Sequence, residues 1–497
     1  MPATYSPRLA HGGLLDHRPR APALILLVTL FACLGFIFAL SFVMNRFSLE
    51  LAVAIGLAVV FTVLCFVRVK WVLYAFIFAC LFSPEIQLGG MLGRASKRAV
   101  TLRVEDILLV VLAVNWLART ALVKTLGLTL RTPLNRPIIL YALACVLATL
   151  VGIGYGWVQE QLAAVLFVLK YIQYFVIFFV ILNLTETRRD VRHMVVWAVV
   201  TYLAVCLFGF AQIPGGLRPT AFAEYHSEPN TLAGYLVFMV GICSGLLLSA
   251  RSARSRLMWT FLVLLGLVLI AFTLSRSGWA GLFGVALVLV LIGRHKYAVL
   301  ATLLIMGTAL ALFSFEVDWL PHTVRQRVHQ TAGVVREEWP GMPQPVRVFG
   351  FELDPSASER IRSYQAALQK WSDVSRRHWL PFVTGSGVLG GRKFVDGQYV
   401  RVIAETGLLG LAAFLALLYT IWHTGWRAYT ESRVGWHRGL ALGYLAGFAG
   451  LAVHALGANT FIIVRIMEPF FIFTALMALL PEIKPDKGED EAIHPVK

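Results

Sequence analysis

The sequence predicts an all-α protein, a polytopic transmembrane bundle of about 12 to 14 helices with one large loop outside the membrane. Of its 497 residues, 58% are hydrophobic and only 14% are charged, against about 25% charged in soluble domains. Apolar runs of about 20 residues, the length of a helix that crosses a bilayer, recur along most of the chain. Each run must be helical, because an open strand leaves its backbone polar groups unsatisfied in lipid. This composition excludes a secreted enzyme, a nucleic-acid-binding domain and a disordered scaffold.

The apolar segments follow one another from near the N-terminus to near the C-terminus. They are predicted at 23–44, 49–67, 71–83, 104–118, 137–153, 162–182, 191–213, 230–250, 257–274, 277–293, 297–315, 400–422, 437–457 and 459–480. Segments 71–83 and 104–118 are short for a full crossing, which predicts tilted, broken or re-entrant helices. The first run lacks a small-residue cleavage site and is interpreted as a retained helix. The predicted division is an N-terminal tail (1–22), a first membrane part (23–315), a large loop (316–399), C-terminal helices (400–480) and a tail (481–497).

The net charge of +17 is explained by helix orientation. Alternate connections hold 23 of the 44 Lys and Arg residues, whereas the short connections of the other set hold seven. By the positive-inside rule the first set is cytoplasmic, with both termini inside. Segment 84–103 is an exception, with four basic residues on the outer side. The six cysteines all lie within apolar runs and are interpreted as small buried hydrophobes, with neither disulfide nor zinc-ligand spacing.

The connection 316–399 is predicted to be an ordered outer loop. Ser356 and Glu359 have capping-box spacing, and Ile361, Tyr364, Leu368 and Trp371 then recur on one face of a helix. This helix is expected to lie at the membrane mouth, or to pack on the end of the bundle. A long ordered loop of this kind is more often functional than incidental.

Two arginines are the leading candidates for a binding site. Arg276 lies between two apolar runs at the outer face, and Arg218 lies in the outer connection before the helix that begins near Asn230. Guanidinium groups bind phosphate with paired hydrogen bonds, so two of them at one outer cavity suit a diphosphate. The alternative for each is an interfacial arginine that extends its head group to water.

Further candidates lie within the loop and within the apolar spans. Asp396 is positioned to accept a proton from a hydroxyl nucleophile, although Asp is also a preferred cap for the helix predicted near 398. Arg360 is a second ligand candidate, and Glu359 is interpreted as its helix's cap. Within the apolar spans, Lys170 has no partner that spacing identifies, whereas Arg465 and Glu468, one turn apart, are expected to neutralise each other.

Two familiar site types are excluded. Gly385–Gly390 matches a GxGxxG pattern, but it lies in a loop without the strand and helix of a dinucleotide-binding unit, and is interpreted as a turn. No Walker motif, HExxH motif or Cys/His zinc cluster occurs in the sequence. The sequence therefore predicts neither a cofactor nor a metal site.

The chain resembles the O-antigen ligase/polymerase family over roughly residues 190–425. The matching motifs, in order, are Leu217–Thr220, Pro229–Tyr235, Leu274–Gly278, Ser358–Arg360, Gly385–Gly387, and Tyr399 with Ala404–Gly410. The resemblance implies a GT-C-like membrane glycosyltransferase at the periplasmic face of the bacterial inner membrane. It would transfer a glycan from an undecaprenyl-diphosphate carrier to an acceptor hydroxyl without a metal.

The resemblance also implies roles for particular residues. Arg218 and Arg276 would bind the diphosphate and stabilise it as leaving group. That Asp396 is the catalytic base is a separate hypothesis, based on its position beside the arginines at the membrane mouth. Arg360, Asn230, Tyr399 and Glu405 would complete the substrate site. Donor lipid, acceptor glycan, membrane lipids and polysaccharide export or chain-length proteins would be its partners, without nucleic acid.

One departure bears on the activity. Ligases of the family carry a His-Asn pair where this chain has Asp396-Gly397, so a repeat-unit polymerase is favoured over a ligase. A transporter of glycans or lipid-linked precursors predicts inverted repeats and charges at the midplane, and no repeat is visible. A structural membrane subunit remains a third possibility, which the predicted capped loop helix disfavours.

Overall fold

The computed structural model describes most of the helical chain. The described residues are 68–83, 85–87, 101–122, 132–215, 218–220, 228–293, 346–348, 351–352, 355–390, 395–432 and 434–483. Within them the protein is almost entirely α-helical, with two very short antiparallel hairpins. The predicted segments 23–44, 49–67 and 297–315 lie outside the described residues.

The helices follow the predicted apolar segments closely. They are α1 (68–82), α2 (Val104–Leu122), α3 (Asn135–Gly154), α4 (Gln161–Leu184), α5 (Arg188–Gln212), α6 (Pro229–Ser249), α7 (Ala253–Thr273), α8 (Arg276–Ile292), α9 (Pro355–Arg377), α10 (Trp379–Thr384), α11 (Gln398–Glu431), α12 (Gly435–His454) and α13 (Val464–Leu479). The hairpins pair β1 (Glu85–Gln87) with β2 (Thr101–Arg103) and β3 (Arg347–Val348) with β4 (Phe351–Glu352).

Six of the described helices are long and apolar enough to cross a membrane, namely α3, α4, α5, α6, α7 and α11. Helix α6 is the central one, with 83% of its most apolar window buried inside the protein. The other five bury half or less of theirs, so they have broad apolar faces on the outside of the bundle. A helix that is apolar on all sides is expected only in such a core or in lipid.

Close packing of α6 against α12 depends on glycines on both helices. A Cβ on Gly241 would lie 2.5 Å from the backbone nitrogen of Gly447, and one on Gly443 would lie 2.6 Å from the Ile242 carbonyl oxygen. Small residues let helix backbones approach closely, which is a common basis of helix association in membranes. Four of the cysteines (Cys80, Cys145, Cys206 and Cys243) are free and buried in the described bundle, as predicted for small hydrophobes.

The bundle has one end, called here the upper end, where α6, α8 and α11 begin and α7 and α12 end. Backbone and side-chain bonds hold these termini together: Gln398 N donates to Ala455 O at 3.0 Å, and the Asn459 amide donates to Val395 O at 2.7 Å. The loop after α10 is attached to the same end. Gly387 N donates to Glu405 O at 2.9 Å, beside a break in α11 at Gly407 (φ 64°, ψ −164°).

Candidate functional site

Arg218 organises the turn between α7 and α8. Its Nε and Nη2 atoms donate to the Thr273 carbonyl oxygen at 2.9 and 2.7 Å, and Nη2 also lies 3.3 Å from the Leu274 oxygen. Carbonyls at the end of a helix lack partners within the helix. Leu274 has a left-handed backbone (φ 51°), which is uncommon for a non-glycine residue. Arg218 therefore stabilises a sharp turn directly before Arg276.

Arg276 begins α8, and its neighbours fix that helix start. The Ser275 hydroxyl accepts the Gly278 N–H at 3.2 Å as an N-cap and donates to Asn230 Oδ1 at 2.7 Å. The Ser277 hydroxyl oxygen lies 3.1 Å from Ser275 Oγ. Asn230, in the first turn of α6, is thereby joined to the start of α8. A helix N-terminus favours bound anions, so the half-buried Arg276 lies in an electropositive place.

Arg360 of α9 extends over the same region from the loop. Its Nε lies 3.7 Å from Asp396 Oδ2, and both side chains keep some exposure (27% and 49%). Gly457 provides the space for this approach: a Cβ there would lie 3.6 Å from Arg360 Nη1 and 3.3 Å from Ser277 Cβ. Arg218, Asn230, Arg276, Arg360 and Asp396 therefore all lie at the upper end, with Arg360 close to the start of α8.

Tyr364 holds α9 on the bundle. Its hydroxyl donates to the Leu456 carbonyl oxygen at 3.0 Å, and its ring packs against Gly397. Burial raises the pKa of this phenol above its ordinary value, Arg360 lowers the pKa and Asp396 raises it. Farther along the helix Trp371 stacks on Phe382 at 5.1 Å. The described contacts of this amphipathic face are with the end of the bundle and with α10.

Asp396 does not cap a helix. Helix α11 begins at Gln398 as predicted, but the residue before it is Gly397, and no side chain caps its first turn. The helix-cap alternative is therefore wrong. The Asp396 carboxylate instead faces Arg360. Its role as a base stays a prediction. Ser356 was predicted to cap α9, but the helix already includes Pro355, so Ser356 lies within the helix and is not its N-cap.

Tyr399 and Glu405 are engaged in holding the fold. The Tyr399 hydroxyl donates to the Ala452 carbonyl oxygen at 2.9 Å, which ties α11 to α12. Glu405 pairs with the buried Arg401 at 3.0 Å and is 3.4 Å from the Leu389 N–H. The structure therefore gives both predicted substrate ligands a structural partner away from the arginine cluster.

His454 was not among the predicted site residues. It is fully buried at the end of α12, with Nδ1 2.7 Å from the Thr460 hydroxyl, beside the Asn230 backbone and within electrostatic range of Arg360. A Cβ on Gly234 would lie 3.1 Å from its ring. The only sequence signal for it is a polar residue at the end of an apolar span.

The cluster combines three guanidinium groups, a helix N-terminus and one carboxylate at the same end of the bundle. Guanidinium forks and helix N-termini are complementary to phosphate oxygens, and an exposed carboxylate is able to accept a proton. Within the part of the chain that the structure describes, no group of three His, Cys, Asp or Glu residues is arranged to hold a metal ion.

Charged residues inside the bundle have partners that the sequence did not identify. Lys170 Nζ donates to Asp106 Oδ1 at 2.6 Å, and Glu468 accepts a hydrogen bond from Gln173 of α4 at 2.9 Å. Spacing along one helix identifies neither contact, since both join residues far apart in the chain. Comparison of the sequence with protein-family models and with curated proteins finds no match.

Proposed function

We propose that the chain is a membrane glycosyltransferase that polymerises undecaprenyl-diphosphate-linked repeat units of an exopolysaccharide or O-antigen. The proposal rests on the presence of Arg218, Arg276, Arg360 and Asp396 at one end of an apolar helical bundle, where Arg360 pairs with Asp396. The bundle would be GT-C-like, with both termini in the cytoplasm and the upper end at the periplasmic face of the inner membrane. Its loop helix α9 would cover the reacting groups.

The reaction needs a positioned acceptor and stabilisation of charge on the departing diphosphate. The acceptor hydroxyl oxygen forms a bond to the anomeric carbon while the bond from that carbon to the phosphate oxygen breaks. The electron pair leaves with the diphosphate, where Arg276 and Arg218 bind its oxygens, and the hydroxyl proton passes to Asp396. Electrostatic stabilisation aimed at developing charge is commonly the largest catalytic contribution, and positioning by the bound lipid lowers the barrier further.

The arginine role is tested by reconstituting the protein in vesicles with lipid-linked repeat units and measuring polymer ladders. Arg276→Lys keeps the charge but loses the guanidinium fork, and is expected to abolish the ladder. Arg256→Lys is the matched control, because Arg256 also lies in the first turn of a helix but at the opposite end of the bundle, where it donates to Ala250 O at 3.2 Å. An active Arg276→Lys protein would contradict paired hydrogen bonding to the diphosphate.

The products separate the alternatives. A polymer ladder supports a polymerase, a single transfer to a lipid or protein acceptor supports a ligase, and movement of glycan without bond formation supports a transporter. Asp396→Asn is expected to stop synthesis at a normal protein level, and continued synthesis would remove Asp396 as the base.

The side of the membrane is tested independently of activity. Glu359 is exposed on α9, next to Arg360. A Glu359→Cys protein in intact spheroplasts is expected to react with a membrane-impermeant maleimide. Labelling only after the membrane is permeabilised would place the upper end in the cytoplasm and contradict the proposed topology.

A further inference from the structure

A second group of charged side chains lies between the helices, apart from the arginine cluster. It comprises Glu105 and Asp106 on α2, Lys170 and Gln173 on α4, and Glu468 on α13, and is called here the interior polar cluster. Charged groups within an apolar bundle are costly and usually either pair with one another or serve a function. The cluster joins three helices that are far apart in sequence.

Asp106 is fully compensated. Lys170 Nζ donates to Asp106 Oδ2 at 2.5 Å and to Oδ1 at 2.6 Å. Gln173 Nε2 donates to Oδ1 at 2.8 Å. The Arg103 backbone N–H donates to Oδ2 at 2.9 Å. Two lone-pair positions on each oxygen are thus met by charged or amide donors, so hydrogen bonds satisfy this carboxylate completely.

Glu468 and Glu105 are not compensated in this way. Both are completely buried. Glu468 accepts an amide hydrogen from Gln173 at 2.9 Å through Oε1 and lies beside the Cys80 thiol, a weak donor. Glu105 Oε1 lies 3.5 Å from Arg103 Nη1, and the Ser83 hydroxyl is beside this carboxyl. The Oε2 atoms of both glutamates have no hydrogen-bond partner among the described residues. A buried charge that lacks partners is expensive.

The neighbours of Glu468 add to this cost. Glu105 and Asp106 repel a negative charge on Glu468, whereas Arg103 attracts it. Among the described residues, Cys80 on α1 and Tyr174 on α4 are also within electrostatic range of Glu468, and Lys170 on α4 contacts Asp106. Arg465 is buried on α13, three residues before Glu468. Two carboxyl groups in one water-poor site do not readily both ionise, and one added proton removes one of the two buried negative charges.

We propose that the interior polar cluster is a proton-binding site, in which the glutamate pair Glu105 and Glu468 holds one proton while Asp106 stays ionised against Lys170. Gln173 connects the two halves, because its amide nitrogen donates to Asp106 and to Glu468. The ligand is a proton, and the proposal does not depend on the glycosyltransferase activity.

The site is tested with dicyclohexylcarbodiimide, which modifies protonated carboxyl groups in apolar surroundings. The full-length protein is labelled in membrane vesicles over a series of buffers from acidic to alkaline, and the adducts are located by peptide mass spectrometry. We expect an adduct on Glu468 or Glu105 that declines as the pH rises, and none on Asp106. The exposed Glu482 is the internal control for an acid in water.

Variants and ions complete the test. Glu468→Gln has nearly the same shape and is expected to remove the Glu468 adduct at a normal protein level. The wild-type result stands on its own if that variant fails to accumulate. No adduct on either glutamate at any pH, or an adduct on Asp106, would overturn the proposal. Protection by sodium ions but not by choline would identify a sodium site instead, and would also overturn it.

Discussion

Replacing Gly407 tests most directly how the loop after α10 is packed against the break in α11 at the upper end. Gly407 breaks α11 at φ 64° and ψ −164°, a backbone region that only glycine adopts readily and that costs other residues about 1–3 kcal/mol. A Cβ there would also lie 2.5 Å from both Gly385 N and Val383 C. Overpacking of this kind typically costs about 1–3 kcal/mol more. Gly407→Ala is therefore expected to lower the free energy of unfolding by about 2–6 kcal/mol.

Two other glycines separate the causes. Gly156 has φ +72° with open space around it, and Gly154 has neither a positive φ nor a neighbour within 4 Å. Gly156→Ala should lower the free energy of unfolding only by the cost of a left-handed backbone, about 1–2 kcal/mol. Gly154→Ala, at the end of α3, should be neutral or stabilise by up to about 1 kcal/mol.

The assay is reversible unfolding of the purified protein in mixed detergent and dodecyl sulfate micelles, followed by circular dichroism. The expected order of stability is Gly154→Ala, then Gly156→Ala, then Gly407→Ala. If Gly407→Ala were as stable as Gly156→Ala, the contacts with the loop after α10 would have no energetic consequence. The reasoning about the α11 break would then be refuted.

Three further outcomes follow from the described contacts. Lys170→Met should lower the free energy of unfolding by about 3–5 kcal/mol, because it leaves the buried Asp106 carboxylate without its cation. Adding Asp106→Asn to this variant should restore part of the lost stability. A larger loss in the double variant would contradict the pairing. Ser275→Ala should cost about 0.5–2 kcal/mol as a lost N-cap, measured by the same unfolding; no loss would contradict the cap. Arg360→Gln should raise the pKa of Tyr364 further, since Arg360 lowers it. Selective ¹³C-tyrosine NMR titration measures this pKa, and a decrease in the variant would contradict the prediction.

Helix positions were predictable because they depend on local composition. Apolar segments such as 137–153 and 230–250 correspond to α3 and α6 within a few residues. The break in α11 was not predicted, since the segment 400–422 reads as one apolar run. Its cause is the pair of backbone bonds from the loop after α10 to Ala404 and Glu405, which no local pattern contains.

The candidate site divides in the same way. Arg218, Arg276, Arg360 and Asp396 were identified from residue type and from their position at the ends of apolar runs. Their contacts were not, and the Asp396 cap was wrong because the carboxylate faces Arg360. Tyr399 and Glu405 belong to the quoted motifs, yet both are bonded to parts of the fold that come together only across long separations.

The sequence alone determined the helical class, the order of most helices and the group of polar residues available for chemistry. Those properties follow from the cost of placing backbone and charge in an apolar medium, which acts within each segment. Only the tertiary structure decided which charges meet, from Arg360 with Asp396 at the upper end to Lys170 with Asp106 in the interior. Such pairs depend on the packing of helices distant in sequence, where a contact of a few ångströms is set by the whole bundle.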